Sequence, residues 1–227
     1  MSYRTGPKIV TDGLVLCLDA ADRNSYPGSG STWIDLSGNG NNGTLVNGVG
    51  YNSGNSGSLS FDGVNDYVSG NPPYIPSQFE PLTLSAWIYN AGQSGNRGIL
   101  GIVNPSSQPT GSSRMITIRS TGATYFWGSS ADFNPSNFIS EVNSWTYTVF
   151  TIDSEKRVTA YKNGIFNEDS ILSSLSNVVA TSYDVGSRRY FGEYFEGKIA
   201  QVSIYNRALS ANEVRQNFEA TKGRFGL

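Results

Sequence analysis

Short runs in which apolar and polar residues alternate recur along this chain, separated by clusters of Gly, Asn, Asp and Ser. Leu82-Thr83-Leu84-Ser85-Ala86-Trp87-Ile88-Tyr89 is the clearest. Side chains alternate across a strand, so Leu82, Leu84, Ala86 and Ile88 share one face and Trp87 and Tyr89 the other. Two large aromatics on that second face imply that it too is at least partly covered. Leu14 to Leu18 is a continuous apolar run, and further strands are predicted at residues 99–103, 115–119, 124–127, 145–153, 183–187 and 198–205, each ended by a turn residue. Ser60 to Val68, SFDGVNDYV, joins a strand end to a Gly/Asn/Asp turn and re-enters a strand. Residues 157–162, the Asn163-Gly164 pair and Ile165-Phe166 form the strongest hairpin signal, because a type I′ turn needs two residues that tolerate positive φ. Many short strands at this spacing point to an all-β sandwich.

Two stretches break the pattern. Residues 19–42 are rich in Asp, Ser, Gly and Asn around Trp33, which reads as a long loop anchored by an aromatic, and the Gly/Ser/Asn-rich residues 37–58 read as turns and loop. Near the end, Ser210 and Glu213 form a capping box, Leu209 and Val214 make a hydrophobic staple, and Val214 and Phe218 lie one turn apart on an apolar stripe. This predicts one short helix ending near Lys222, before Gly223. No linker or repeat divides the chain, so a single domain is expected over residues 13–222, between an N-terminal arm at 1–12 and a tail at 223–227.

Composition narrows the chemistry. With 26 Gly, 13 Tyr and 11 Phe in 227 residues the chain suits strands and tight turns. A net charge of −2 supplies no field for nucleic-acid phosphates. The absence of His removes the commonest general base and zinc ligand. The one cysteine, Cys17, lies in an apolar run and reads as a buried structural thiol. No signal-peptide pattern and no run of transmembrane length is present, so neither export by an ordinary signal nor membrane insertion is expected. Asn42-Gly43-Thr44 matches the N-glycosylation pattern, which needs an export route to matter.

The segments LVLCLDA (14–20), WIDLSGNGNNGTL (33–45), SFDGVNDYV (60–68), LTLSAWIY (82–89), YKNG (161–164) and FEGKIAQVSIYNRALSANEV (195–214) occur in an order that resembles laminin-G-like members of the concanavalin A-like lectin and glucanase superfamily. The resemblance spans roughly residues 13–220 and implies a jelly roll of two antiparallel sheets with a terminal helix packed on one edge or end. Members serve as carbohydrate-binding modules, adhesion domains and virion proteins, so the fold alone does not choose a function. The termini, IVTDGLVLCLDAAD and NFEATKGRFGL, resemble stand-alone domains of structural proteins of tailed bacteriophages. That resemblance implies a non-enzymatic lectin-like protein on the virion surface, made in the host cytoplasm. It would decorate the capsid or form part of a tail or fibre, as a homo-oligomer among other virion proteins, and touch host-surface glycans. The alternative is a free carbohydrate-binding module that works with a partner enzyme or receptor. The arm from Ser2 to Val10 is the expected contact to a neighbour.

Catalytic relatives carry a Glu-x-Asp-x-x-Glu strand that this chain lacks; its nearest acidic pair is Glu193 and Glu196 in a Gly-bounded turn. Relatives often hold Ca²⁺ through Asp and Asn oxygens, which makes Asp19, Asp22 and Asn24 in the first loop and Asp62 and Asp66 in the SFDGVNDYV turn the calcium candidates, if both segments converge at one sandwich end. Backbone-capping turns are the alternative use of the same side chains. Carbohydrate binding needs an aromatic platform beside polar groups, and Trp127, Tyr125, Arg119 and Asn96 supply these if the loop at 92–98 folds over the Tyr125 strand. Trp127 can equally be core, as Trp33, Trp87 and Trp145 are expected to be. Arg188, Arg189 and Arg207 are expected to be solvated unless a ligand or neighbouring subunit engages them.

Overall fold

A computed structural model describes residues 7–78, 80–92, 94–107, 113–128, 131–172 and 175–227. In chain order the strands are β1 (Leu14–Asp19), β2 (Thr32–Trp33), β3 (Gly43–Val46), β4 (Gly50–Asn52), β5 (Ser58–Asp62), β6 (Tyr67–Gly70), β7 (Leu82–Asn90), β8 (Arg97–Val103) and β9 (Arg114–Ile118). They continue as β10 (Thr124–Trp127), β11 (Trp145–Ile152), β12 (Arg157–Lys162), β13 (Ile165–Ile171), β14 (Ser182–Val185), β15 (Ser187–Arg188), β16 (Glu193–Tyr194) and β17 (Glu196–Tyr205). One helix, α1 (Ala211–Thr221), follows.

The first sheet runs β13-β12-β11-β7-β17-β5-β4, with β1 also paired to β17, and the second runs β10-β9-β8-β14-β6-β3-β2. Both are antiparallel, and their inner faces close on one core. In β7, Leu84, Ala86 and Ile88 enter that core while Trp87 points the other way, as the alternation requires. From the second sheet Leu100, Ile102, Ile116, Phe126, Tyr183, Val185 and Val68 face them. The expected all-β sandwich is therefore the observed one. Among the described residues no helix is long and apolar enough to cross a membrane.

The outer face of the first sheet is covered. Trp87 is fully buried, stacks on Phe225 at 4.1 Å and Phe218 at 5.7 Å, and donates its indole N–H to Thr221 Oγ1 at 2.8 Å. The capping box forms, with the Ser210 N–H donating to Glu213 Oε2 and the Glu213 N–H to Ser210 Oγ. Hydrogen bonding to Arg207, whose charge also favours the anion, lowers the Glu213 pKa to about 2. Leu209 and Val214 are buried together beneath the helix start. The arm joins the same layer, because the Val10 N–H donates to Asn217 Oδ1 at 2.8 Å and the Val10 carbonyl accepts from the Tyr205 hydroxyl at 2.9 Å. The part of the arm at Val10 thus binds its own domain; residues 1–6 lie outside the described residues.

The loop reading of residues 37–58 needs correction, since β3 and β4 lie inside it. Each opens on a glycine, and at Gly43 the packing demands it: a Cβ there would sit 2.6 Å from Val68 Cγ1 and 2.9 Å from the Tyr183 hydroxyl. Low side-chain bulk hid a strand from hydrophobic periodicity. The anchor, by contrast, is where it was expected, with Trp33 fully buried in the core. Buried Asp35 organises the loop beyond it, accepting from the backbone N–H groups of Cys17, Ser37 and Asn41.

The β12–β13 turn joins local and tertiary requirements. Asn163 and Gly164 have φ of 52° and 73°, and a Cβ on Gly164 would lie 2.8 Å from Phe218 Cβ on α1. Gly164→Ala is therefore expected to lose about 1–2 kcal/mol from the left-handed backbone alone, and more from displacing α1. Denaturant unfolding checks it, and an unchanged midpoint would contradict the packing described.

Candidate functional site

With α1 over the first sheet, the outer face of the second is left open to partners. Tyr183 and Val185 of β14 point into the core, so Ser182 and Asp184 point out; Val68 of β6 points in, so Tyr67 and Ser69 point out. Strand register then sets one row across this face. Thr44 lies opposite Ser69, Ser69 opposite Asp184, Asp184 opposite Gly101, Gly101 opposite Met115, and Met115 opposite Trp127.

Asp184, at the centre of the row, is fully buried although it faces outward. What covers it is Arg189, in the turn between β15 and β16. Arg189 Nε donates to Asp184 Oδ2 and Nη2 to Oδ1, both at 2.6 Å, and Nη2 also reaches Ser69 Oγ and Ser182 Oγ at 3.0 Å. The two serine hydroxyls in turn donate to Asp184 Oδ1. The guanidinium lies over the Tyr67 ring at 4.7 Å. Burial works against the Arg189 charge, but the bonds to Asp184 and its attraction outweigh it, and the Arg189 pKa rises. A bidentate pair of this kind fixes orientation as well as position. It clamps the 189–191 turn to the sheet.

The clamp holds Tyr190 and Phe191 at the surface, 50% and 47% exposed, with ring centroids 5.0 Å apart. Alongside runs an open groove of about 460 Å³, lined by Asn42, Thr44, Ser69, Asn71, Thr181 and Ser182, with Arg189 and Pro105 shared between the groove and the floor beneath Tyr190 and Phe191. The arrangement sets an exposed aromatic pair beside a strip of hydroxyls and amides, the mixture that binds a molecule with an apolar face and many hydroxyls.

The expected aromatic platform lies at one corner of this same face but is covered. Tyr125 is 3% and Trp127 7% exposed. The Arg119 guanidinium lies 4.5 Å over Tyr125, and that of Arg188 lies 4.4 Å from Trp127 and 4.5 Å from Phe191. Burial pushes the Tyr125 hydroxyl pKa up. Arg97 pairs with Ile118, which leaves Asn96 one position further out, near the level of Arg119. Asn96 and Arg119 thus lie at that same corner, while the two rings there serve packing. The loop residue 93 lies outside the described residues.

The expected calcium residues do not converge. Asp19 pairs with Gln201 and Asp62 with Glu196 on β17, five positions apart, or about 17 Å at the strand rise. Both Asp19 oxygens accept from Arg224 Nη1 at 2.9 Å, and Asp22 Oδ1 accepts from the backbone and side-chain nitrogens of Asn24. That set is occupied by protein donors and does not fit a cation. Asp62 Oδ1 accepts from the Val64 and Asn65 N–H groups, and Asp66 Oδ2 from the Asp62 N–H, as capping turns require. Asp66 Oδ1, however, is buried without a partner among the described residues, and burial, with the nearby Asp62 charge, raises the Asp66 pKa. This pair fits an ion better than the first set, although no group of three or more acidic or Cys side chains occurs among the described residues.

The other expectations resolve similarly. Glu193 is ion-paired with Arg188, and Glu196 is exposed at the strand start. Arg188, Arg189 and Arg207 are not free solvated cations, since each is paired within the chain, Arg207 with Asp12 and Glu213. Cys17 is buried, and burial with the nearby Asp19 raises its thiol pKa to about 12, as befits a structural thiol.

Residues 61–215 match the laminin-G-like model of the Concanavalin A-like lectin/glucanases superfamily, and the chain belongs to that family. Among solved structures it resembles the binding domain of Paraclostridial Mosquitocidal Protein 1, with a TM-score of 0.68 at 21% identity over 92% of this chain and 52% of that one. It is similar to the botulinum neurotoxin serotype D ligand binding domain in complex with N-acetylneuraminic acid (TM-score 0.69, 17% identity, 92% of this chain and 51% of that one). It is also similar to the binding domain of botulinum neurotoxin DC in complex with rat synaptotagmin II (TM-score 0.70, 14% identity, 93% and 52%). The chain therefore spans about half the length of these structures. No curated protein sequence matches it.

Removing one partner of the buried pair leaves the other charge unsatisfied. Arg189→Ala is expected to cost about 3 kcal/mol or more of stability, and the double variant Asp184→Leu/Arg189→Leu is expected to recover most of it. Thermal unfolding of the three proteins checks this; an Arg189→Ala protein as stable as the parent would contradict the clamp.

Proposed function

We propose that this protein is a non-enzymatic, lectin-like structural protein of a phage virion, carried on the capsid or tail, and that it binds host-surface glycans through the groove beside Tyr190 and Phe191. The observation that carries the glycan reading is the exposed Tyr190–Phe191 pair directly following Arg189, which with Pro105 borders both that pair and the groove of hydroxyls and amides. Aromatic rings cover the apolar C–H face of a sugar while hydroxyl and amide groups bond its rim. The ion-paired Glu193 and the lack of a Glu-x-Asp-x-x-Glu strand support a binding rather than a hydrolytic role. The virion part rests on the likeness of the terminal segments to phage structural proteins. Within this reading Asp62 and Asp66 are the pair that would hold Ca²⁺, which would steady the β5–β6 turn.

A free carbohydrate-binding module acting with a partner enzyme or receptor is the second reading. It is favoured by the similarity to binding domains about twice this chain's length. Mass spectrometry of purified particles separates the two, because the virion reading requires copies of the chain in them.

The glycan reading predicts binding on a glycan array, in calcium or in EDTA, that falls at least about tenfold in Tyr190→Ala/Phe191→Ala, since each stacked ring is a principal contact. Flat profiles in both conditions would refute it.

A further inference from the structure

Among the described residues the groove is lined by one charged side chain, Arg189, and its charge is already answered. Its fork is bonded to Asp184 and its face lies over Tyr67. Asp184 is fully buried, so an anionic ligand that drew the guanidinium away would strand a carboxylate out of water. Ser69 and Ser182 line the groove, but their hydroxyls are turned into the same network. The neighbouring Arg188 is ion-paired with Glu193. The described segments that border the groove, residues 41–47, 69–76 and 104–107, carry no charged residue.

What remains available is uncharged. Asn42, Thr44, Asn71 and Thr181 are exposed. The Thr44 and Thr181 hydroxyls and the Asn71 amide have no partner among the described residues, and Asn42 uses only its oxygen, toward the Asp35 N–H. Hydroxyls and primary amides both donate and accept, which matches sugar hydroxyls and N-acetyl groups.

We infer that the groove takes a neutral glycan, built of uncharged hexose or N-acetylhexosamine units, and selects against sialylated, sulfated or uronic chains. The inference rests on the glycan-binding reading of the same groove. The N-acetylneuraminic acid of the neurotoxin complex is therefore not the ligand class this groove is built for.

The test uses the whole chain against matched neutral and acidic oligosaccharides at about 0.05 M and about 0.5 M NaCl, a range over which screening shortens from over 10 Å to a few ångströms. Neutral glycans should bind with affinity changing less than about twofold between the two salts, and acidic counterparts at least about tenfold more weakly. Asn71→Ala/Thr181→Ala, both exposed positions, should lower neutral-glycan affinity at least about fivefold. Preferential, salt-sensitive binding of acidic glycans that is lost in this variant would overturn the neutral-ligand inference and leave the groove standing. Glycan binding unaffected by the variant, or none in the parent, would overturn the glycan-binding reading of the groove itself.

Discussion

The outer face of the second sheet depends on one buried ion pair. Asp184 sits in mid-sheet with no water to solvate it, and Arg189 reaches over from a short turn to close both of its oxygens. Everything on that side of the molecule follows from the contact. It pulls the 189–191 turn onto the sheet, so Arg188 slots between Trp127 and Phe191 and Tyr190 and Phe191 stay outside. The same contact cancels the charge of Arg189, the one charged side chain that lines the groove among the described residues. A buried charge pair is a poor source of net stability but a strong source of definite geometry when it is fully hydrogen-bonded. Here two serines and a tyrosine ring complete its surroundings.

The two outer faces of the sandwich have been given different tasks. On the first sheet, Trp87 and Tyr147 are too large and apolar to face water, and α1 with Phe225 closes over them. The N-terminal arm is tied into that layer through Val10, Asn217 and Tyr205, so both ends of the domain serve the cover. On the second sheet the row of outward positions is small and polar at Thr44, Ser69 and Asp184 and aromatic at Trp127 on β10. A loop rather than a helix crosses it. That leaves a shallow groove instead of a sealed layer.

The fold was largely legible because it is written in periodicity: the β7 alternation, the Asn163-Gly164 turn and the Ser210/Glu213 capping box each name a local structure that tertiary packing then uses. The strands that escaped, β2, β3 and β4, are two to four residues long, set among Gly, Ser and Asn, and β3 opens on a glycine required by neighbours far away in sequence, Val68 and Tyr183 at Gly43. The site escaped for a similar reason. Trp127 and Tyr125 lie on the same outer face as the groove, yet nothing local reveals that Arg188 and Arg119 lie over them. Tyr190 and Phe191 had a readable signal in the Gly-bounded Gly186-Ser187-Arg188-Arg189-Tyr190-Phe191-Gly192 segment. The Asp in the apolar Tyr183-Asp184-Val185 strand had one as well, since a carboxylate among core residues needs a cation. Joining them required the sheet register.

The central claim is that the molecule meets its ligand on the second sheet, at the groove that Asp184 and Arg189 shape. The most direct measurement is a crystal structure of the protein grown with a neutral oligosaccharide that it retains in solution. Sugar is expected in the groove between Asn42 and Asn71, with one ring against Tyr190 or Phe191 and the Asp184–Arg189 pair undisturbed. Sugar bound instead at the sandwich end near Asp62 and Asp66, or Arg189 drawn away from Asp184 onto the ligand, would contradict it.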